Sequence, residues 1–329
     1  ALRIAIPSTL SAQAFHRRAA GAAVTALDGA TMGTRWSVRI VTAGQQVPAV
    51  ETGIRGVLDR LVSQMSQWEP DSALSRFNRA PPGGWHSLPP EMVQVLAAAL
   101  DVAGRSGGAF DPALGALVDL WGFGPSGPRS SAPSGAEAGA LLARSGRAHL
   151  AFEPLLLRAR RSERAALDFS GIAKGYAVDA VAEYLLGQGI EDFLVEVGGE
   201  LRGNGIKPDG QPWWVDVEQA PGAPTEPIRV ALHGLSVATS GDYRRHFEQD
   251  GRRYAHTLDP RTGMPLDNRV ASTTVLHAQC MLADAWATAL TVLGPDQGPI
   301  VAERERLAMH MVVRGGGECI SPQLHAMLA

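Results

Sequence analysis

Polar and apolar residues alternate from Arg35 to Val41, with Trp36, Val38 and Ile40 on one side, the period of a half-buried strand. Ile54, Val57, Leu58, Leu61, Val62 and Met65 then recur at helical spacing, which predicts an amphipathic helix ending near Trp68 and Pro70. A second helix is marked by Met92, Val95, Leu96, Leu100 and Ala103 and stopped by Gly107-Gly108. Asp111-Pro112 supplies an N-cap and first-turn pair for a third, short helix through Leu114, Leu117 and Val118. The run GPSGPRSSAPSG from Gly124 to Gly135 has no period and many breakers, so a surface loop or an internal boundary is expected there.

Beyond that run, Leu155 to Ala159 and Ala165 to Phe169 read as strands, the second entering a glycine turn and a helix with Tyr176, Val181, Tyr184 and Leu185. Phe193 to Val197, Trp213 to Val217, Ile228 to Leu232, Leu235 to Thr239 and Val270 to Leu276 are further strands. The turns between them are short, which favours antiparallel pairing. Leu282, Ala285, Trp286, Ala289, Leu290 and Leu293 form the buried stripe of a later helix, and Met309 to Arg314 reads as an edge strand. The sum is an α+β fold, helices packed on a largely antiparallel sheet.

Composition narrows the function classes. The 329 residues are 45% hydrophobic, ample for a substantial core in one large or two modest domains. A net charge of -3 with no isolated basic run argues against nucleic acid as partner and leaves a small phosphorylated ligand open. Cys280 and Cys319 make neither a disulfide framework nor a metal pair and read as packing residues. No apolar run is long enough to cross a bilayer, so a soluble chain is expected. The first residue is Ala, which fits a processed product, and the Ala-, Ser- and Thr-rich start is weak evidence of export. The pair Arg17-Arg18 lacks the apolar segment of a twin-arginine signal and reads as a surface pair.

The densest chemistry lies from Val237 to Pro265, where His256, carboxylates and arginines share a region punctuated by the turn signals Ser240-Gly241, Asp250-Gly251, Asp259-Pro260 and Thr262-Gly263. The neutral-range imidazole of His256 suits a general base acting on a hydroxyl, although it suits a simple hydrogen-bond donor in a strand-turn as well. No Gly-x-Ser-x-Gly elbow is present, which argues against a serine hydrolase. Asp284 and Thr288 are four residues apart and share a helix face, a pairing compatible with Mg²⁺. Spacing alone favours an exposed Asp beside a Thr bonded back to its own helix. In Asp168-Phe-Ser-Gly171-Ile-Ala-Lys174-Gly175, the small residues let backbone approach a ligand and Lys174 offers a point charge for phosphate, yet a plain turn and a solvated lysine fit equally simple rules. Ala109, Phe110 and Asp111 offer a pocket wall and a cap, and Met32 and Trp68 the soft and aromatic surfaces on which a flat heterocycle packs.

The order of segments carries more than any one of them. MGTRWSVRI from Met32, SQWEPDSALSRFN from Ser66, GGAFDPALGALVDLWGFG from Gly107, LDFSGIAKGYAVD from Leu167, VGGELRGNG from Val197, SGDYRRHF, YAHTLDPRTGMP and ADAWATALTVLG from Ala283 closely resemble the successive motifs of the ApbE-type FAD:protein FMN transferases. The resemblance runs from about Met32 to about Gly294 and implies an ApbE-like, T-fold-related architecture, with residues 1–31 an N-terminal extension and 32–329 the transferase domain. It implies cleavage of FAD with Mg²⁺, release of AMP, and attachment of FMN through a phosphoester to Thr or Ser of an acceptor flavoprotein. It further implies Asp284, Thr288 and the Gly171 carbonyl as metal ligands. Met32, Trp68, Ala109, Phe110, Asp111, Asp168, Lys174 and Leu258 would line the FAD site, and His256 would be the base. The arginines of Tyr243-Arg244-Arg245 and Gly251-Arg252-Arg253 are then candidates for the acceptor-facing surface. One departure is Met281, where some family members carry another aspartate one turn before the metal aspartate, leaving the metal more water. The implied setting is the bacterial periplasm or the outer face of the inner membrane, beside a membrane electron-transfer complex. Two alternatives share these residues: an FAD pyrophosphatase in which water replaces the acceptor, and an FAD carrier without turnover.

Overall fold

An eight-stranded sheet, antiparallel throughout, organises the chain. In a computed structural model its strands run in the order Glu318–Ile320, Ala308–Val313, Val270–His277, Leu235–Gly241, Glu200–Asn204, Phe193–Val197, Thr34–Thr42 and Ala23–Thr31. The structure describes residues 2–16, 22–42, 44, 46–129, 131–222, 225–242, 246–249 and 251–328. The turn signal at Asp250, the pair Arg17-Arg18, and Tyr243 to Arg245 therefore lie at least partly outside the described residues.

Helices cover one face. Val47–Met65, Pro90–Arg105, Ala173–Gly187 and Cys280–Arg304 bury their stripes against Trp36, Val38, Ile40, Val195 and Val275 in the main core. The opposite face packs on Leu194, Val237 and Leu276, where a second core joins Trp213, Ile228, Val230 and Leu232 of a small sheet to Leu324. Coverage on both faces explains why seven consecutive residues of Val270–His277 are buried, its Ser and Thr side chains among them. The Cys280 helix runs against this strand and its neighbour and breaks at Gly294, whose φ of 75° precedes Pro295.

The start of the chain is woven into both sheets. Arg3–Ala5 pairs in parallel with Ile228–Val230, and Ala23–Thr31 pairs along its length with Thr34–Thr42. Met32 and Gly33 close that hairpin with φ of 50° and 69°, both left-handed, as a two-residue turn of the primed type requires. A division at residue 32 passes through this turn.

Several expected elements differ. Pro154 opens a 3₁₀ turn over Pro154–Leu156 and Leu157 follows at φ 48°, so the expected 155–159 strand becomes a hairpin of Leu150–Glu153 and Arg158–Arg161. Residues 165–169 form no strand, because their contact with the rest of the sheet system is a single bridge from Ala166 to Leu114 and the backbone is held instead by Asp168 N–H on Pro112 O at 2.8 Å. The short third helix is Gly115–Leu120, while Asp111 closes a turn before it by accepting from Ala113 N–H at 2.8 Å. Ala308–Val313 is no edge strand, since Glu318–Ile320 pairs outside it. Ser240 and Gly241 finish a strand that pairs with Thr273 and Ser272, so this dipeptide is no turn. The breaker-rich run after Gly124 leads into an unanticipated helix, Gly135–Leu142, started by a capping box between Ser134 and Glu137.

Candidate functional site

A cleft of about 450 Å³ opens where the Cys280 helix, the start of the Ala173 helix and the Met32 turn meet, a volume inside the range of about 300–1,000 Å³ usual for small-molecule sites. All twelve site residues singled out from sequence line it: Met32, Trp68, Ala109, Phe110, Asp111, Asp168, Gly171, Lys174, His256, Leu258, Asp284 and Thr288. They come from six separate segments of the chain, and this convergence is what the fold adds to the motifs.

Asp284 and Thr288 sit one turn apart on the same helix, and Asp284 is only 4% exposed. Its Oδ2 accepts from Gly175 N–H at 3.0 Å, so it is not the solvated surface carboxylate that spacing alone favoured. Thr288 Oγ1 stands 3.0 Å from Ser240 Oγ across the cleft floor. A β-carbon on Gly171 would stand 3.0 Å from that same Oγ1 and 3.2 Å from Phe110 Cε2, so the backbone here lies close against the threonine and a larger residue would have to push both side chains back by a few tenths of an ångström. Among the described residues no three His, Cys, Asp or Glu side chains converge as a metal cluster. The donors on this floor are one carboxylate, hydroxyls and backbone carbonyls, the oxygen set that suits Mg²⁺ and not a thiophilic ion.

Lys174 opens the Ala173 helix and pairs through Nζ with Glu200 Oε1 at 2.5 Å, the glutamate being 1% exposed. Glu200 faces the lysine because it follows the Gly198-Gly199 turn, and a β-carbon on Gly198 would meet Thr34 Cγ2 at 2.9 Å and Lys174 Cδ at 3.2 Å. Sequence reasoning gave Glu200 and Ser240 no role. Glu200 directly follows the Gly198-Gly199 pair, and a charge at the first position of a strand entered through that turn was the signal available.

Asp168 Oδ1 accepts from Ser170 N–H and Oγ at 2.8 and 2.5 Å, shaping the loop that presents Gly171. Asp111 holds two backbone groups, Ala113 N–H and Arg147 N–H at 2.8 and 2.9 Å. Burial pushes its carboxyl above the usual range, against the opposing pull of those two bonds. Trp68 lies at the rim of the cleft and is 51% exposed.

His256, Thr257, Leu258 and Pro260 line another wall, and two hairpins flank and support it. His246–Gln249 pairs with Arg252–Ala255, and Leu258–Asp259 with Met264–Pro265. Phe247 stacks on Tyr254 at 4.9 Å, and Trp121 and Phe123 pack beneath them with Leu258. His256, between the hairpins, meets Phe123 edge-on at 6.3 Å. Arg253 donates to Asp242 O, just before its hairpin, at 3.0 Å and meets His246 Nδ1 across the hairpin at 3.1 Å. Met281 lines a separate cleft of about 740 Å³ on the other side of the Ala173 helix and not this one.

Fold and site together define an α+β protein with a cleft lined by a buried aspartate beside a threonine, a lysine paired with a buried glutamate, a tryptophan at the rim and a histidine. The chain belongs to the ApbE family, whose model matches residues 32–312. It is 39% identical over 296 residues to the FAD:protein FMN transferase of Vibrio cholerae, covering 88% of this chain and 87% of the relative. The Escherichia coli K12 FAD:protein FMN transferase is 34% identical over 323 residues, covering 93% and 89%. Among solved structures, the apo flavinyl transferase ApbE of Pseudomonas stutzeri superposes with a TM-score of 0.86 at 38% identity, covering 93% of this chain and 97% of that one. The Vibrio cholerae flavin transferase ApbE superposes with a TM-score of 0.86 at 36% identity, covering 93% and 99%.

Proposed function

We propose that this protein is an FAD:protein FMN transferase that joins the FMN half of FAD to a Thr or Ser hydroxyl of an acceptor flavoprotein and releases AMP. The observation that carries the reading is the meeting of Asp284, Thr288, Gly171, Lys174 and His256 on one cleft. In the reaction the acceptor oxygen forms a bond to the FMN phosphorus, the pyrophosphate bridge breaks, and AMP leaves with the bridging oxygen. Asp284, Thr288 and the Gly171 carbonyl would hold Mg²⁺, which when bound neutralises charge on the pyrophosphate.

The protein's own groups divide the remaining work. Lys174, held in place by its pair with buried Glu200, offers its ammonium to the pyrophosphate. Trp68, Met32 and Phe110 give the isoalloxazine and adenine planes apolar surfaces, and Asp111, Asp168, Ala109 and Leu258 complete the FAD-binding wall. His256 takes the proton of the acceptor hydroxyl. It stands on the hairpin side of the cleft, and an in-line displacement then requires the AMP oxygen to leave on the side of the phosphorus opposite the acceptor oxygen.

The setting of this reading is the bacterial periplasm or outer face of the inner membrane, with a flavoprotein subunit of an electron-transfer complex as acceptor. Among the described residues no helix is long and apolar enough to cross a membrane. Incubation with FAD, Mg²⁺ and a candidate acceptor domain, followed by mass measurement, tests the proposal. A gain of one FMN on the acceptor is expected. Free FMN and AMP with an unmodified acceptor would instead mark a pyrophosphatase, and intact FAD a carrier.

A further inference from the structure

The helix that carries Asp284 and Thr288 begins without a cap of its own. Gln279, at its N-cap, is extended and its side chain makes no capping bond, although the first N–H groups of any helix need acceptors. Asp179, from the middle of the neighbouring Ala173–Gly187 helix, supplies them: Oδ1 accepts from Cys280 N–H at 3.0 Å and Oδ2 from Met281 N–H at 2.9 Å. One turn earlier on that neighbouring helix, Gly175 N–H donates to Asp284 Oδ2 at 3.0 Å. The two helices are thus laced reciprocally, residues 175 and 179 of one against 284 and 280 of the other. Arg202 braces the lace from behind, donating to Asp179 Oδ1 at 3.0 Å and to Glu183 Oε1 at 2.9 Å. It lies on the same strand as Glu200, the partner of Lys174.

We propose that Asp179, braced by Arg202, is a positioning residue that sets the depth and rotation of the metal-binding face carrying Asp284 and Thr288. This rests on the Mg²⁺ reading above. Asp179 lines the second cleft and not the FAD cleft, so it acts through the helix and never on substrate. A carboxylate is required because two N–H groups face it. An asparagine offers one acceptor oxygen and sets its own N–H₂ against the other donor.

The test compares wild type with Asp179→Ala, Asp179→Asn and Arg202→Lys. Mg²⁺ is titrated calorimetrically into the FAD-loaded protein, and backbone exchange is followed by mass spectrometry. For Asp179→Ala we expect Mg²⁺ affinity to fall about 10-fold, the scale on which lost helix caps act, with a smaller fall in Asp179→Asn. FAD affinity without metal stays within about 2-fold, since no FAD-cleft residue is changed. Exchange in a peptide spanning residues 279–286 rises at least about 10-fold while residues 297–304 keep their protection, because only the uncapped end opens. If the alanine variant does not fold, the asparagine and Arg202→Lys variants carry the same comparison. Native Mg²⁺ affinity in a folded Asp179→Asn protein overturns the positioning role, as does exchange that rises evenly through both helices. Wild-type protein that takes up no Mg²⁺ overturns the metal reading itself, a result read from a different sample.

Discussion

Gly175→Ala is the sharpest single perturbation of this site. A β-carbon at 175 would stand 2.3 Å from the Cys280 carbonyl oxygen and 2.8 Å from Asp284 Cβ. The first obstacle is backbone and cannot rotate away, so restoring an ordinary 3.4 Å contact needs the two helices to part by about 1 Å. That movement stretches the 3.0 Å bond from Gly175 N–H to Asp284 beyond hydrogen-bonding range. Overpacking costs about 1–3 kcal/mol and the lost bond to a charged group about 1.5–3, while alanine's helix preference returns about 1 kcal/mol. The net loss is about 1.5–5 kcal/mol, or a melting point lower by about 3–10 °C at roughly 2 °C per kcal/mol for a domain of this size. A displacement of about 1 Å at Asp284 also predicts a fall in kcat/KM of about 100-fold. Calorimetric melting and acceptor-labelling kinetics read both effects. The control is Gly56→Ala, exposed in the middle of the Val47–Met65 helix with no atom within 4 Å of the new carbon; it should gain about 0.5–1 kcal/mol. A Gly175→Ala protein that melts and turns over like wild type would refute the close approach of the two helices.

Asp284→Ala should abolish acceptor labelling at any Mg²⁺ concentration, and partial recovery at high Mg²⁺ would show that its carboxylate is dispensable. His256→Ala should slow transfer by about 10²–10⁴-fold with FAD affinity nearly unchanged, as expected for loss of a general base; full activity by mass assay would remove it from that role. Acid should destabilise the fold from about pH 6.5 downward. Burial holds His310 below its ordinary 6.5 despite its 2.7 Å bond to Glu318, and the guanidinium of Arg3 holds Glu318 below its usual range. Below 6.5 the unfolded chain takes up a proton that folded His310 refuses, so stability present above that pH is lost as pH falls through the folded value; the Glu318 contribution is lost lower still. His310→Gln should flatten the fall in melting point between about pH 6.5 and 5, and parallel wild-type and variant curves would contradict this.

How much of the fold the sequence disclosed depends on how local its causes are. The Val47–Met65 and Pro90–Arg105 helices carry their stripes within a few turns, and Thr34–Thr42 alternates over its length, so each was legible. Residues 165–169 have the composition of a strand, and only the absence of a partner along their length makes them a loop. No window centred on them contains that fact. The Gly135–Leu142 helix was hidden for the opposite reason: its capping box begins inside a run whose glycines and prolines outweigh any period.

The site divides along the same line. His256, Asp284, Thr288, Lys174 and Asp168 belong to short segments whose residue types already suggest chemistry, and they could be named before any geometry. Glu200, Ser240 and Asp179 could not, because each is defined by what it touches. Ser240 meets Thr288 at a separation of 48 residues and Asp179 meets Cys280 at 101, across elements whose adjacency follows from the order of strands and helices. The distinction has a physical ground. Residues that act on a ligand need particular functional groups, which a sequence displays. Residues that hold them need only an acceptor or donor in the right place, and any of several side chains on any neighbouring element can provide one. Asp179 therefore reads as an ordinary helix-surface carboxylate until the Cys280 helix is set against it, and at that point each of its two oxygens accepts from the first turn of the helix that carries Asp284 and Thr288.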